Sequence, residues 1–198
     1  MGLPCVTKNK YKTWEVVSAL QKEIRRGNEK EALYWCLELA DSGMIDLAAG
    51  RLRVIALEDI GNTDMVPILY AFLCIDQAQK WFKGKNDAWM LGLGNAVMAL
   101  ARARKTRIGD SFHAAVLKMR DERHLEIPEY ALDMHTARGR EMGRGLDHFM
   151  EHCAQLSNDA SEEMPDIYFD EAMAYWRRHY EHPETKPEVN EPLQPSLL

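Results

Sequence analysis

Apolar residues recur along this chain at the three- and four-residue intervals of amphipathic helices. Between Arg26 and Asp64 two such sets follow one another, separated by Ser42 and Gly43. The first set is Ala32, Leu33, Trp35, Cys36, Leu39 and Ala40, and the second is Leu47, Leu52, Ile55, Ala56 and Ile60. The pattern predicts a helical hairpin with one apolar face on each helix.

Polar residues and glycines predict where these two helices begin and end. Asn28 and Glu31 have the spacing of a capping box at the start of the first helix. Gly43 can adopt the left-handed conformation that commonly ends a helix. The acidic sequence Glu58-Asp59-Ile60-Gly61-Asn62 is predicted to end the second helix.

The same periodicity predicts helices on both sides of the hairpin, whereas the alternation typical of β-strands does not occur in the sequence. The predicted spans are 14–25, 66–83, 88–103, 109–122, 148–156 and 170–179. Helix 66–83 carries many large apolar residues, so we expect it to be well buried. The small residues of helix 88–103 favour a central position. Residues 129–147 should form short helical turns. The predicted fold class is all-α, a helical bundle.

The composition sets the number of domains. The chain has 198 residues, and 46% of them are hydrophobic, which is enough for one sizeable core. We expect a flexible N-terminus over residues 1–12 and one helical domain over residues 13–181. Prolines and acidic residues are frequent over residues 182–198, so we expect a disordered tail there.

Charge and cysteine usage indicate the type of protein and its compartment. The net charge of −6 does not favour a dedicated nucleic-acid-binding protein, although a local basic strip remains possible. The four cysteines are scattered, and Cys36 and Cys74 lie in apolar helical patterns, which favours buried free thiols in a reducing compartment. The sequence shows neither a signal-peptide pattern nor an apolar run long enough for a bilayer, so we expect a soluble cytoplasmic protein without membrane contact.

Several motifs resemble the C-terminal region of the bacterial replication-associated recombination ATPases. These are clamp-loader-like AAA+ proteins whose eukaryotic relatives include the Werner helicase-interacting protein. The similarity is carried by Glu31-Ala32-Leu33-Tyr34-Trp35, Arg51, Ile55-Ala56, Glu58-Asp59-Ile60-Gly61-Asn62 and Asp64, then by Leu100-Ala101, Ile127-Pro128, Thr136, Glu141-Met142-Gly143 and Gly145. It covers roughly residues 14 to 145.

This resemblance implies a helical collar, similar to the oligomerisation domain of clamp loaders, that holds ATPase subunits together as tetramers. It assigns a structural or subunit-packing role to Glu31, Tyr34, Trp35, Arg51, Glu58, Asp59, Gly61 and Asn62. The sequence departs from the family pattern at Arg104-Lys105-Thr106-Arg107 and at Asp133-Met134-His135-Thr136. Because the match nearly vanishes after Gly145, we expect the C-terminal quarter to serve a different contact.

Catalysis is not expected from the motifs present. An ATPase needs a glycine-rich phosphate loop followed by lysine, and the sequence contains no GxxxxGK(S/T). We therefore expect no cofactor, and ATP hydrolysis only through a separate partner chain. Neighbouring helical side chains point about 100° apart, so Glu58 and Asp59 do not form a catalytic pair. We expect one of them to pair with Arg51 or Arg53, or to accept backbone hydrogen bonds.

Two basic clusters are candidate DNA contacts, because positioned arginines and lysines are sufficient to bind phosphates. Their members are Arg102, Arg104, Lys105 and Arg107 in the first cluster, and Arg138, Arg140 and Arg144 in the second. The alternative is a solvated surface whose charge is balanced by acids such as Asp110 and Glu141.

A metal-dependent hydrolase is the alternative function. His148, Glu151 and His152 match the inverted zincin pattern HxxEH, in which two histidines on one helix face bind a metal ion. A third protein ligand would have to come from elsewhere. Otherwise these residues form a surface or partly buried helix face.

The sequence thus favours a stand-alone, non-catalytic oligomerisation and interaction module related to DNA replication and recombination ATPases. We expect it to form a homo-oligomer, or to dock on replication-fork or repair proteins, on a separate AAA+ ATPase or on DNA. A helical-repeat scaffold is less favoured, since no period recurs.

Overall fold

The computed structural model describes residues 4–181, which fold almost entirely as helices. Within that range there is no β-strand, only an isolated bridge between Val6 and Lys12. The helices are α1 (Thr13–Arg26), α2 (Glu29–Asp41), α3 (Ile45–Ile55), α4 (Met65–Lys83), α5 (Trp89–Arg102), α6 (Ile108–Glu122), α7 (Ala137–Glu141), α8 (Leu146–His148) and α9 (Phe169–Glu181). The all-α prediction is confirmed, and the tail predicted to be disordered lies outside the described residues.

Short segments of other helical types connect these helices. A π-helical turn, Ala56–Ile60, continues α3 and is followed by a 3-10 turn, Gly61–Thr63. In the second half of the chain, a 3-10 turn spans Glu129–Ala131 and a second π-helical turn spans Phe149–Cys153. The helix predicted over 148–156 is therefore mostly this π-helical turn.

The chain divides into two compact units, one ending at Arg123 and the other beginning at His124. Helices α1 to α6 belong to the first unit, and α7 to α9 belong to the second. The single domain expected over residues 13–181 did not include this division, because the composition around residue 123 resembles no linker.

The core of the first unit is built by α1 to α5. Helix α5 contacts the four helices before it, which agrees with the central position that its small residues predict. The largest fully buried apolar side chains come from all five helices: Leu20, Ile24, Leu39, Leu52, Ile55, Ile75, Leu93 and Leu100. Leu39, Leu52 and Ile55 are among the positions that the helical period assigned to the apolar faces of the hairpin.

Residues 4–12, expected to be flexible, are hydrogen-bonded to the helices. Asn9 donates from its backbone and side-chain nitrogens to the buried carboxylate of Glu38, at 3.1 and 2.6 Å. Burial raises the pKa of Glu38, but hydrogen bonds from Thr7 and Asn9 and the charge of Lys8 outweigh it and leave this pKa below its ordinary value. Thr13 Oγ1 also donates to the carbonyl of Pro4 at 2.7 Å.

The predicted capping box at the start of α2 is wrong, although the helix begins where expected. Gly27 ends α1 in the left-handed conformation, with φ 80°. This tight turn brings the Asn28 side chain next to the preceding helix, where Nδ2 donates to Glu23 Oε2 at 2.6 Å. The side chain of Asn28 therefore makes no cap hydrogen bond to α2.

The prediction that helix α4 is well buried is also wrong for one of its faces. Ile68, Ala71, Ile75 and Ala78 lie in the core. The opposite face is exposed and is apolar in the N-terminal half of the helix, with Leu73 69% exposed. A helix with two apolar faces can pack only one of them against the core. The other face remains exposed to solvent or available to a partner.

Gly92 sets how closely α4 and α5 approach. A Cβ atom at this position would lie 2.8 Å from the Ala78 Cβ and 2.9 Å from the Cys74 carbonyl oxygen. We expect Gly92→Ala to lower the free energy of unfolding by about 1–3 kcal/mol, because the two backbones must move apart. Urea unfolding followed by circular dichroism measures this change.

Gly94→Ala is the matched control on the same helix. Its added Cβ would have Leu33 Cδ2 as its nearest contact, at 3.6 Å. It should leave stability unchanged or raise it by up to about 1 kcal/mol, because alanine has the higher helix propensity. Equal destabilisation by both substitutions would contradict the close-approach explanation.

Candidate functional site

Asp59 lies in the π-helical turn that follows α3 and is only 1% exposed. Its carboxylate accepts hydrogen bonds from Arg25 Nε at 2.7 Å, from Arg25 Nη2 at 3.3 Å and from Gln21 Nε2 at 3.2 Å. Both donors lie on α1. This buried, paired acid therefore fixes the end of α3 against α1.

The neighbouring groups extend this network to the segment before α6. The backbone carbonyl of Asp59 accepts from the Thr106 amide at 2.8 Å. Glu58 accepts from Arg25 Nη2 at 3.3 Å and from Arg107 Nη2 at 3.4 Å. The acidic motif consequently holds three parts of the first unit together.

The expected pairing of this motif with Arg51 or Arg53 is wrong. Arg53 instead reaches α4, where Nη2 bonds to Asp76 and, at 3.0 Å, to Gln79. Arg51 is half-buried on α3. Asp59 lies in the π-helical turn, and its carboxylate is bonded to α1 across the unit. Gly61 then leaves the turn at φ +52°, and Asn62 is exposed.

The aromatic residues of the motif Glu31-Ala32-Leu33-Tyr34-Trp35 pack against the N-terminal segment, which they join to α2. The Trp35 ring is half-buried and makes edge contacts with Tyr11 and Tyr34, at centroid distances of 5.3 and 4.9 Å. A hydrogen bond with Tyr11 raises the pKa of Tyr34. Glu31 is exposed in the first turn of α2.

Most cations of the first basic cluster form hydrogen bonds or ion pairs with groups of the first unit. Arg102 Nε and Nη2 donate to the Glu29 carboxylate at 2.6 and 3.0 Å. Lys105 Nζ donates to two backbone carbonyls at 2.9 and 2.6 Å; burial lowers its pKa, and the charge of Asp59 opposes that shift. Arg107 pairs with Glu58 and Asp110. Arg104 is exposed.

The second basic cluster stabilises loops of the second unit. Arg144 Nη1 donates to the carbonyls of Glu129 and Leu132, at 2.9 and 2.6 Å, and its guanidinium pairs with the Glu129 carboxylate. Arg140 Nη1 donates to the carbonyls of Met134 and His135 at 3.2 and 3.0 Å. Arg138 is exposed. DNA contact by the two clusters stays a prediction, and Arg104 and Arg138 are among their exposed members.

The histidines of the HxxEH pattern lie close together in the second unit. The rings of His148 and His152 are 4.8 Å apart, and His148 Nδ1 is 3.6 Å from Cys153 Sγ. Glu151 is exposed beside His152. Among residues 4–181, however, no group of three or more His, Cys, Asp or Glu side chains could hold a metal ion. The hydrolase alternative therefore lacks its third ligand in the part of the chain that the structure describes.

A large apolar surface covers one side of α4 and α5. We call it the α4–α5 face, and its members are Met65, Val66, Leu69, Tyr70 and Leu73 on α4 and Met90, Leu91 and Met98 on α5, all exposed by 40% or more. Sequence reasoning missed this surface because it expected α4 to be well buried. The signal was present, since apolar residues lie all around the first two turns of α4.

A groove of about 450 Å³ runs along this face between the two helices. All of its lining residues are uncharged: Tyr70, Leu73, Cys74, Gln77, Trp81, Leu91, Gly92 and Asn95. Tyr70 donates its hydroxyl hydrogen to Asn95 Oδ1 at 3.2 Å, which joins the two walls. Cys74, expected to be buried, is only partly so, whereas Cys36 is fully buried and has its pKa raised to about 12 by that burial.

None of the helices within residues 4–181 is long and apolar enough to span a bilayer. The polar groups of the acidic motif and of the two basic clusters mostly bond to other groups of their own unit, whereas the α4–α5 face is apolar. These features define an all-α module in which the acidic motif makes contacts within the fold.

Comparison with known proteins then identifies the family. The profile of the family described as MgsA AAA+ ATPase C terminal matches residues 27–192, so the chain belongs to this family. The match continues well beyond Gly145, where the motif-based resemblance stopped. The C-terminal quarter is therefore part of the family domain.

The chain is similar to replication-associated recombination protein A from several bacteria. It is 30% identical to the Bacillus subtilis protein over 140 residues, which are 70% of this chain and 32% of that protein. It is 26% identical to the Escherichia coli protein over 169 residues, 84% of this chain and 36% of that protein. The Haemophilus influenzae protein is 27% identical over 144 residues, which are 70% of this chain and 31% of that protein. The chain thus spans about a third of the length of these relatives.

The buried pair between Asp59 and Arg25 should be a major source of stability. We expect Asp59→Asn to lower the free energy of unfolding by about 3 kcal/mol, because it leaves the Arg25 guanidinium partly buried without its counter-charge. Glu58→Gln is the control at the adjacent, more exposed acid, and it should change stability by less than about 1 kcal/mol. Denaturant unfolding of both variants checks this; equal effects would show that Asp59 has no special structural role.

Proposed function

We propose that this chain is a non-catalytic helical module that self-associates through its α4–α5 face. The observation that carries the proposal is the set of exposed apolar side chains on α4 and α5, with Val66, Leu73 and Leu91 exposed by about 70%. Their contiguity supports it, because the Tyr70–Asn95 hydrogen bond and the groove join the two helices into one surface.

The size of this surface also supports self-association. The exposed side chains of the α4–α5 face present on the order of 800 Å², which is about what one partner contributes to a standard protein interface. Patches larger than a few hundred Å² are rare on soluble monomers and usually mark interaction sites. Burying such a surface in water is favourable because it removes apolar area from the solvent.

A structural role is supported by how the candidate acids are used. The Asp59 carboxylate is occupied by hydrogen bonds from Arg25 and Gln21 and is 1% exposed, so it is not placed to reach a substrate. By analogy with relatives named for replication-associated recombination, the module would work in DNA replication and recombination, joined to AAA+ ATPase subunits. The resemblance to a clamp-loader collar suggests four copies.

Substitution of Leu73 tests the proposal. The wild-type chain should form oligomers in multi-angle light scattering and sedimentation, and Leu73→Asp should shift it to monomers because a charge would be buried in the apolar contact. Since Leu73 is 69% exposed, the fold should be unaffected, which circular dichroism checks. A wild-type chain that stays monomeric at its highest soluble concentration would refute the proposal.

Leu117→Asp is the matched control for this substitution. Leu117 is exposed on α6, outside the α4–α5 face, so the control adds the same charge to another helix. It should leave the oligomer intact. Loss of assembly in both variants would indicate that added charge, and not the α4–α5 face, is responsible.

Thiol labelling gives an independent readout of the same surface. Cys74 lines the groove, so its modification by a maleimide should slow at protein concentrations where oligomers form and should accelerate on dilution. Cys5 is exposed at the N-terminus and should react at a rate independent of concentration. Peptide mapping assigns each modified thiol. Concentration-independent labelling of Cys74 in a sample that contains oligomers would place the contact elsewhere.

A further inference from the structure

Helix α6 carries a second apolar surface, separate from the α4–α5 face. Ile108, Phe112, Val116 and Met119 recur at intervals of four, four and three residues, so they lie on one side of the helix. We call this set the α6 ridge. Every residue of α6 is at least partly exposed; Ile108 is 64% and Phe112 70% exposed. An amphipathic helix normally buries such a stripe, whereas here Ile108 and Phe112 are exposed and Val116 and Met119 are only partly buried.

The base of the ridge is fixed to the first unit. Helix α6 makes its main contacts with the π-helical turn and the 3-10 turn that follow α3. A Cβ atom at Gly109 would lie 3.5 Å from the carbonyl oxygen of Leu57, and Leu57 itself is exposed beside the start of α6. Hydrogen bonds from Thr106 and Arg107 to the acidic motif fix the chain just before α6. The ridge is thus a convex surface held in place at its N-terminal end.

We infer that the α6 ridge of one copy seats in the α4–α5 groove of another copy. This inference rests on the proposed self-association and names the two surfaces that meet. An amphipathic helix that places side chains spaced three or four residues apart into an apolar groove is a common recognition mode. The ridge supplies such a stripe, and the groove supplies a concave, uncharged site between two helices.

Two features favour a second copy as the occupant of the groove. First, the side chains that line the groove and those that form the ridge are all uncharged, so their contact buries no charge of their own. Second, the ridge with Leu57 presents roughly 500 Å² of exposed apolar surface, and with the α4–α5 face the total is about 1,300 Å², within the range of stable interfaces. Two grooves facing each other would leave both concave surfaces unfilled.

The pairing has a consequence for assembly. A contact between different surfaces leaves each copy of a pair with one free ridge or one free groove, unless the two copies exchange ridges. Repetition of the contact then closes into a ring if the rotation allows it. Variants that lose only one surface should therefore complement each other.

The test uses one variant for each surface, Phe112→Asp for the ridge and Leu73→Asp for the groove. Each variant alone should have a self-dissociation constant raised by roughly thirtyfold or more, the effect of losing a central contact. An equimolar mixture should form a one-to-one pair, because the intact groove of one variant meets the intact ridge of the other. Sedimentation with a fluorescent label on one variant detects this pair, and its formation shows that both variants are folded.

The controls and outcomes separate this inference from the proposed function. Leu117→Asp, on the same helix but off the ridge, should assemble as the wild type does, and Phe112→Leu should retain assembly. If the wild type forms oligomers and Phe112→Asp does so equally, the ridge is not involved and self-association still stands. If the two variants are monomeric but do not pair when mixed, the ridge does not meet the groove. A monomeric wild type overturns both proposals.

Discussion

The buried ion pair between Asp59 and Arg25 is the constraint on which the first unit depends. A carboxylate with 1% exposure is stable in the folded protein only if its charge is compensated, and Arg25 and Gln21 provide that compensation from α1. Asp59 lies in the π-helical turn that continues α3, with its carboxylate bonded to Arg25 of α1. The acidic motif therefore links α1 to the turn that follows α3. Its carboxylates are occupied by these contacts and do not form a catalytic pair.

Contacts of the same acidic motif also fix where α6 begins. Because the Asp59 carbonyl accepts from Thr106 and Glu58 accepts from Arg107, the chain enters α6 at a fixed place beside the π-helical turn. The α6 ridge and the α4–α5 face thus belong to the same unit as this buried ion pair. Damage to the ion pair would be expected to disturb both apolar surfaces without touching either of them directly.

The helical period predicted much of the fold, since α1, α4, α5 and α6 each agree with their predicted spans to within one residue. The helical period failed where the contact that a side chain makes depends on tertiary structure. Asn28 could cap α2 or bond to Glu23, and only the geometry of the Gly27 turn decides for Glu23. Helix α4 is apolar on two sides, and a pattern along one helix cannot tell which side faces the core. The partner of Asp59 lies 34 residues earlier in the chain, so local spacing pointed to Arg51 or Arg53 instead.

The distribution of charge in this chain argues for recognition by shape. Arg102, Arg107 and Arg144 form ion pairs within their own units, and Lys105 donates to backbone carbonyls. The net charge of −6 gives no general attraction to nucleic acid. The α4–α5 face and the α6 ridge, in contrast, are apolar and open. Association driven by removing such surfaces from water is non-directional, so its specificity has to come from the fit between a convex helix and a concave groove. Under the proposed self-association, the partner would be selected by the spacing of apolar side chains, and the charged motifs would contribute by fixing the helices that carry those side chains.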